Sequence, residues 1–211
     1  MTKIYLISPP KIEIDKFFKS LKNALQTNKV AVFQLRLKDY NHDIIKNYCK
    51  EIKKICDDYN CPLILNDFYE IAIELGLSGV HVGIDDKKIT TIRQNSPENF
   101  VIGASCYDSK HLAMEAGEQG ANYLSFGAFF PSKTKNSRGK PTIELLNWAI
   151  EMLNLPIVGI GGINPDNCGE LVKNKIDFVA VISCIWDRLG AEDVAIYQLD
   201  HAIAKNLISK K

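Results

Sequence analysis

The chain of 211 residues carries 26 Lys and Arg against 25 Asp and Glu, a formal net charge of +1, with 46% hydrophobic and 24% charged residues. That balance belongs to an ordinary globular protein and excludes a partner held by overall charge, such as a nucleic acid, while leaving room for a locally basic anion site. There is no run of about 18 apolar residues, so neither a bilayer-spanning helix nor a membrane partner is expected.

Short β-rich runs alternate with longer amphipathic ones along the whole chain. Strands are predicted over residues 4–8, 30–38, 62–66, 79–82, 100–105, 123–126, 156–160 and 178–182. Between and after them lie helical patterns over 15–28, 43–59, 69–75, 87–94, 109–119, 143–153, 165–174 and 191–208. Asn164-Pro165 supplies an N-cap followed by proline at the first helical position, and Asn60 and Gly120 mark helix exits. Strict strand-helix alternation implies parallel pairing through right-handed crossovers, and eight units close as a (β/α)8 TIM barrel, one α/β domain over 1–211. An open doubly wound sheet suits fewer strands, and no Gly-x-Gly-x-x-Gly follows the first strand.

The opening apolar stretch is too short for a signal peptide and leads straight into Ser8-Pro9-Pro10. The six cysteines contain no Cys-x-x-Cys pair and read as reduced thiols in a cytoplasmic protein. Cys49 and Cys56 share one face of a predicted helix as small buried hydrophobes rather than as metal ligands.

In such a barrel the chemistry sits at the C-terminal strand ends. On the second strand, period two puts Gln34, Arg36 and Lys38 on one face and Phe33, Leu35 and Leu37 on the other. The apolar set packs on helices, so the polar set points to the barrel mouth, toward an ion-pair network or a ligand anion such as a diphosphate. The third strand ends in Asn66-Asp67 and the fourth runs into Asp85-Asp86. Asp67 and Asp86 are candidate ligands for Mg²⁺, a hard cation preferring carboxylate and phosphate oxygens; Asp85 could take the place of Asp86, and either could instead cap the next helix. Ser105 either meets a substrate or caps a helix. His81 reads as a scaffold histidine, and Cys106 has no partner base to make it a nucleophile.

The longest βα-loop, 127–141, carries Lys133, Lys135, Arg138 and Lys140 with no acidic residue and suits a lid over phosphate groups. Gly161-Gly162, and the turn through Ile182 and Ser183, occupy the loops after strands seven and eight, where barrels bind phosphate through backbone amides.

In this order and spacing, Gln34-x-Arg36-x-Lys38, Asn66-Asp67, His81-Val82-Gly83-x-x-Asp86, Gly103-x-Ser105, Phe130-Pro131-Ser132-x-Thr134-Lys135, Gly159-x-Gly161-Gly162-Ile163 and Val181-Ile182-Ser183 resemble the thiamine phosphate synthase family. The resemblance runs from Tyr5 to Ile185. It implies an enzyme, a transferase that joins 4-amino-2-methyl-5-hydroxymethylpyrimidine diphosphate to 4-methyl-5-(hydroxyethyl)thiazole phosphate, releasing pyrophosphate. It implies that Gln34, Arg36, Lys38, Asn66, Ser105 and Lys135 bind the pyrimidine diphosphate, with Mg²⁺ on Asp67 and Asp86. Ser132, Thr134, Gly162, Ile182 and Ser183 would hold the thiazole phosphate. Arg36, Lys38 and Lys135 would act on the leaving group in a dissociative substitution that needs no covalent nucleophile.

Three positions depart from the family pattern: Ile84 replaces a common Gln, Ser132 a usual Thr, and Tyr107 a frequent His. The rival readings are a thiazole tautomerase, which uses that histidine for proton transfer, a sugar-phosphate epimerase, and a non-catalytic thiamine-phosphate sensor. The retained Arg36, Lys38, Asp67 and Asp86 favour the synthase. A homodimer is left open.

Overall fold

The computed structural model describes residues 1–131 and 138–208. Eight parallel strands close into a barrel in the order of the chain: β1 (Lys3–Ile7), β2 (Val30–Leu35), β3 (Leu63–Asn66), β4 (Gly79–Val82), β5 (Val101–Tyr107), β6 (Tyr123–Gly127), β7 (Ile157–Ile160) and β8 (Phe178–Val181). The helices on its outside are α1 (Ile14–Leu25), α2 (His42–Asp58), α3 (Tyr69–Glu74), α4 (Ile89–Asn95), α5 (Lys110–Glu118), α6 (Ile143–Met152), α7 (Cys168–Lys173), α8 (Ser183–Trp186) and α9 (Glu192–Ile208). None of the described helices is long and apolar enough to cross a membrane.

The period-two pattern divides the barrel into two cores. Ile4 and Leu6, Phe33 and Leu35, Val80 and Val82, Leu124 and Phe126 face outward into one large apolar layer shared with the helices. Their alternates Tyr5 and Ile7, Tyr123, Val158 and Ala180 face inward and form a smaller second core. Inside the barrel the register sets Asn66 beside His81, His81 beside Gly103, Gly103 beside Tyr123, and Ser105 beside Ser125. Gly103 is small for a reason: a Cβ there would lie 2.0 Å from Cζ of Tyr123, so its missing side chain makes room for the phenol ring.

Local signals bound the helices. Asn41, Ser109 and Thr142 cap α2, α5 and α6 by accepting from the amides of Ile44, Leu112 and Leu145. Asn60 and Gly120 take left-handed backbone at φ +50° and +96°.

Among the differences from expectation, two boundaries and one extra helix bear on the site. β2 stops at Leu35, so Arg36 and Lys38 stand on the loop beyond it. Asn164 Oδ1 accepts from the amides of Asp166 and Asn167, stabilising a separate turn around Pro165, and α7 begins only at Cys168. The four-residue α8 follows β8 directly, too short to leave a periodic signature. It is held by Trp186, whose Nε1 donates to the carbonyl of Ile7 at 2.6 Å.

Candidate active site

At the C-terminal strand ends a cavity of about 170 Å³ opens over the inner core. Of the residues singled out from sequence, Gln34, Arg36, Asn66, Ser105, Gly162, Ile182 and Ser183 line it. They come from β2, β3, β5 and the segments after β2, β7 and β8, so residues far apart in sequence meet around one opening. Arg36 is half-buried, and among the described residues no carboxylate forms an ion pair with it.

Lys38 and Asp67 form an ion pair at 3.5 Å. Asp67 lies at φ +70°, just past β3, and its amide donates to the carbonyl of His81. Burial raises the Asp67 carboxyl above the usual carboxylate range, the charge of Asp86 and a hydrogen bond with it add to that, and Lys38 opposes both. Asp86 in turn accepts from the amide of Gly83 at 2.6 Å. Two abutting carboxylates with one lysine nearby are a donor set suited to a hard divalent cation. Among the described residues no group of three or more His, Cys, Asp or Glu side chains comes together as a metal site, so water or ligand oxygens would have to complete the coordination.

The capping alternatives for the acidic pair are not what the structure contains. The α4 cap at Lys88 has no side-chain hydrogen bond, and Asp85 instead pairs with Arg138. Ser105 is likewise no helix cap, because Ser109 fills that role for α5. Arg138 lines the cavity and lies over the ring of Tyr107, whose φ is +56° at the irregular end of β5.

Across the opening, Gly161 and Gly162 take φ +102° and +63°. A Cβ at Gly162 would lie 2.3 Å from the carbonyl oxygen of Pro131, so this turn and the β6–α6 loop approach backbone to backbone. The Gly162 carbonyl accepts from Asn167 Nδ2 at 2.9 Å, which ties the turn to the start of α7. Ser183 is the first residue of α8. The other loop residues named from sequence, Ser132, Lys133, Thr134 and Lys135, lie outside the described residues.

Among the polar side chains lining the cavity, Tyr5, Gln34, Tyr123, His81 and Ser105 are joined in a row by hydrogen bonds. Tyr5, Tyr123 and His81 were not among the site residues expected from sequence. A tyrosine alternating with apolar residues in a strand looks like core, and a lone histidine looks like scaffold; only the register, which sets Gly103 between His81 and Tyr123, brings them together. Burial, helped by Arg36 and Lys38 and opposed by Asp86, pulls the His81 imidazole down to about 4. The Cys106 thiol is pushed up to about 12 by burial and touches no base among the described residues, which agrees with reading it as a core side chain.

A family model described as thiamine monophosphate synthase matches residues 4–185. The thiamine-phosphate synthase of Rhodospirillum centenum is 37% identical over 194 residues, covering 92% of this chain and 94% of that one. That of Erythrobacter litoralis is 38% identical over 207 residues, 96% of each. Among solved structures, the thiamine phosphate pyrophosphorylase from Pyrococcus furiosus superposes with a TM-score of 0.81 at 31% identity, covering 97% of this chain and 96% of that one. A 3-hexulose-6-phosphate synthase, at 13% identity and a TM-score of 0.68, shares the fold.

Proposed function

The chain belongs to the thiamine monophosphate synthase family, and from that premise we propose that this transferase makes thiamine phosphate from a pyrimidine diphosphate and a thiazole phosphate. In the reaction the bond between the pyrimidine methylene carbon and the diphosphate oxygen breaks, and the electron pair leaves with pyrophosphate. The aminopyrimidine ring stabilises the resulting cation, and the thiazole nitrogen donates its lone pair to form the new C–N bond. No protein nucleophile takes part.

The observation that carries this reading is Arg36 on the cavity wall, with no carboxylate ion pair among the described residues, at the end of a strand whose neighbours lead into Lys38 and the Asp67–Asp86 pair. A guanidinium held in a partly enclosed site without a carboxylate suits a ligand anion, and diphosphate presents the charge that grows as the bond breaks. Mg²⁺ held by Asp67 and Asp86 would neutralise part of that charge. Gln34, Asn66 and Ser105 would orient the pyrimidine, and Gly162, Ile182 and Ser183, with Ser132 and Thr134, would hold the thiazole phosphate. Lys135 would meet the departing group. Holding the two rings together in a cavity of about 170 Å³ supplies the proximity a two-substrate reaction needs.

Purified protein given both substrates and Mg²⁺ should release pyrophosphate and form thiamine phosphate, and a chelator should stop it. Arg36→Ala should lower kcat by about a hundredfold or more. Full activity in that variant would refute the diphosphate pocket. Binding of both substrates without product would refute catalysis and favour a sensor.

A further inference from the structure

The floor of the cavity is a continuous row of hydrogen-bonding groups. Gln34 Nε2 donates to Tyr5 Oη at 3.1 Å, and Tyr5 Oη lies 2.7 Å from Tyr123 Oη. Tyr123 Oη lies 2.9 Å from His81 Nδ1, and His81 Nε2 lies 2.9 Å from Ser105 Oγ. The first four side chains are only 3–8% exposed, so water does not compete along the row.

Each phenol has one proton and a neutral imidazole has one N–H, so the direction of one bond dictates the next. Tyr5 accepts from Gln34 and therefore donates to Tyr123. Among the described residues Tyr123 then has His81 Nδ1 to receive its own proton. With Nδ1 accepting, the imidazole proton sits on Nε2 and is donated to Ser105 Oγ at 2.9 Å, the nearer of its two hydroxyl neighbours, Ser125 Oγ lying at 3.5 Å. Ser105 is left with its hydroxyl proton uncommitted, at the edge of the cavity.

The amide of Gln34 sets the direction: with Nε2 toward Tyr5 it can only donate there, whereas Oε1 in that place would turn every bond of the row round.

We infer that Gln34, Tyr5, Tyr123 and His81 are a one-way hydrogen-bond relay that presents the Ser105 hydroxyl to the ligand as a donor. Tyr5, Tyr123 and His81 are thus positioning residues that act through Ser105. The relay selects a ligand with a lone pair at that place, such as a heteroaromatic ring nitrogen, over one with an N–H. The choice of a pyrimidine as that ring rests on the function proposed above; the direction of the relay does not.

The direct test is the histidine tautomer in the ligand-free protein, read from the ring nitrogen shifts of ¹⁵N-labelled protein. The chain has four histidines, and His81→Gln identifies the signal. The expected result is a neutral ring with its proton fixed on Nε2. A proton on Nδ1, or shifts averaged between the two nitrogens, overturns the relay. Tyr123→Phe removes the donor to Nδ1 and should produce that averaging, with KM for the pyrimidine diphosphate raised about tenfold and kcat changed less than about threefold. Ser105→Ala, which leaves the row upstream intact, should keep the Nε2 tautomer and raise KM by the same factor. An unchanged KM in Ser105→Ala, or equal losses in kcat without a change in KM, overturns the role assigned to its hydroxyl. Because the tautomer is read without substrates, inactive wild-type protein would refute the proposed function and leave the relay standing.

Discussion

Gly103 shows how one missing side chain organises the cavity floor. The Tyr123 ring crosses the space where its Cβ would be, and that ring position lets the phenol reach both Tyr5 and His81. Gly103→Ala should push the ring aside and cost about 1–3 kcal/mol of stability, the usual penalty for overpacking a filled interior. Urea unfolding measures it, and an unchanged midpoint would mean the ring has room to move. Residue identity made two members of the floor, Gln34 and Ser105, legible beforehand. Gln34 stood out because a polar residue alternating with Phe33 and Leu35 has to face something other than the helices. Tyr5 and Tyr123 did not, because a phenol is apolar enough to belong in either core, and its hydroxyl partners come from strands 29 to 118 residues away.

At the scale of elements, the alternation of short apolar runs with amphipathic ones was enough to reveal eight strands and their order, because helix and strand periods differ and parallel strands need a crossover between them. Boundaries followed a different rule. Local side-chain hydrogen bonds from Asn164 decided where α7 begins, and α8 has a single turn that no periodicity can mark. The last helix is joined to the first by a residue whose sequence context is unremarkable. Glu192 is fully buried at the start of α9, accepting from Asn23 of α1 at 2.8 Å and from the amide of Gly190. Burial pushes its carboxyl up, but hydrogen bonds from Ser20, Asn23 and the backbone outweigh this and hold it below the usual range. A depressed carboxylate adds stability that is present above its ordinary range and lost as pH falls through the folded value. Glu192→Ala should therefore lower stability at neutral pH by about 1–3 kcal/mol, seen as a lower Tm in calorimetry. Turnover should be unaffected at 25 °C, since Glu192 lies on the outer ring of helices. A wild-type Tm at pH 7 would show that the Asn23 and Gly190 donors find other partners.

For the whole molecule, a net charge of +1 conceals a cation-rich opening, and near-neutral composition conceals a second asymmetry, between groups that ionise in acid and groups that ionise in alkali. The cysteines are free thiols, five buried and Cys184 half-buried. Burial pushes Cys49, Cys61, Cys106 and Cys184 up to about 12, and raises Cys56 and Cys168 in the same direction. Tyr5 and Tyr123 are raised too, chiefly by burial. In the unfolded chain these thiols lose their protons near pH 9, whereas the folded chain keeps them. Above that pH the folded state binds more protons than the unfolded one, so stability must fall as pH rises, by about 1.4 kcal/mol per pH unit for each such group. The loss should begin near pH 9 and continue until the folded values are reached, giving a urea midpoint that is flat from pH 7 to 8.5 and then drops steeply. Cys49→Ala removes one of these groups and should make the alkaline slope shallower, whatever it does to stability at pH 7. A midpoint that holds level to pH 11, or a slope that Cys49→Ala leaves unchanged, would mean that the thiols are not as enclosed as the outer core of the barrel requires.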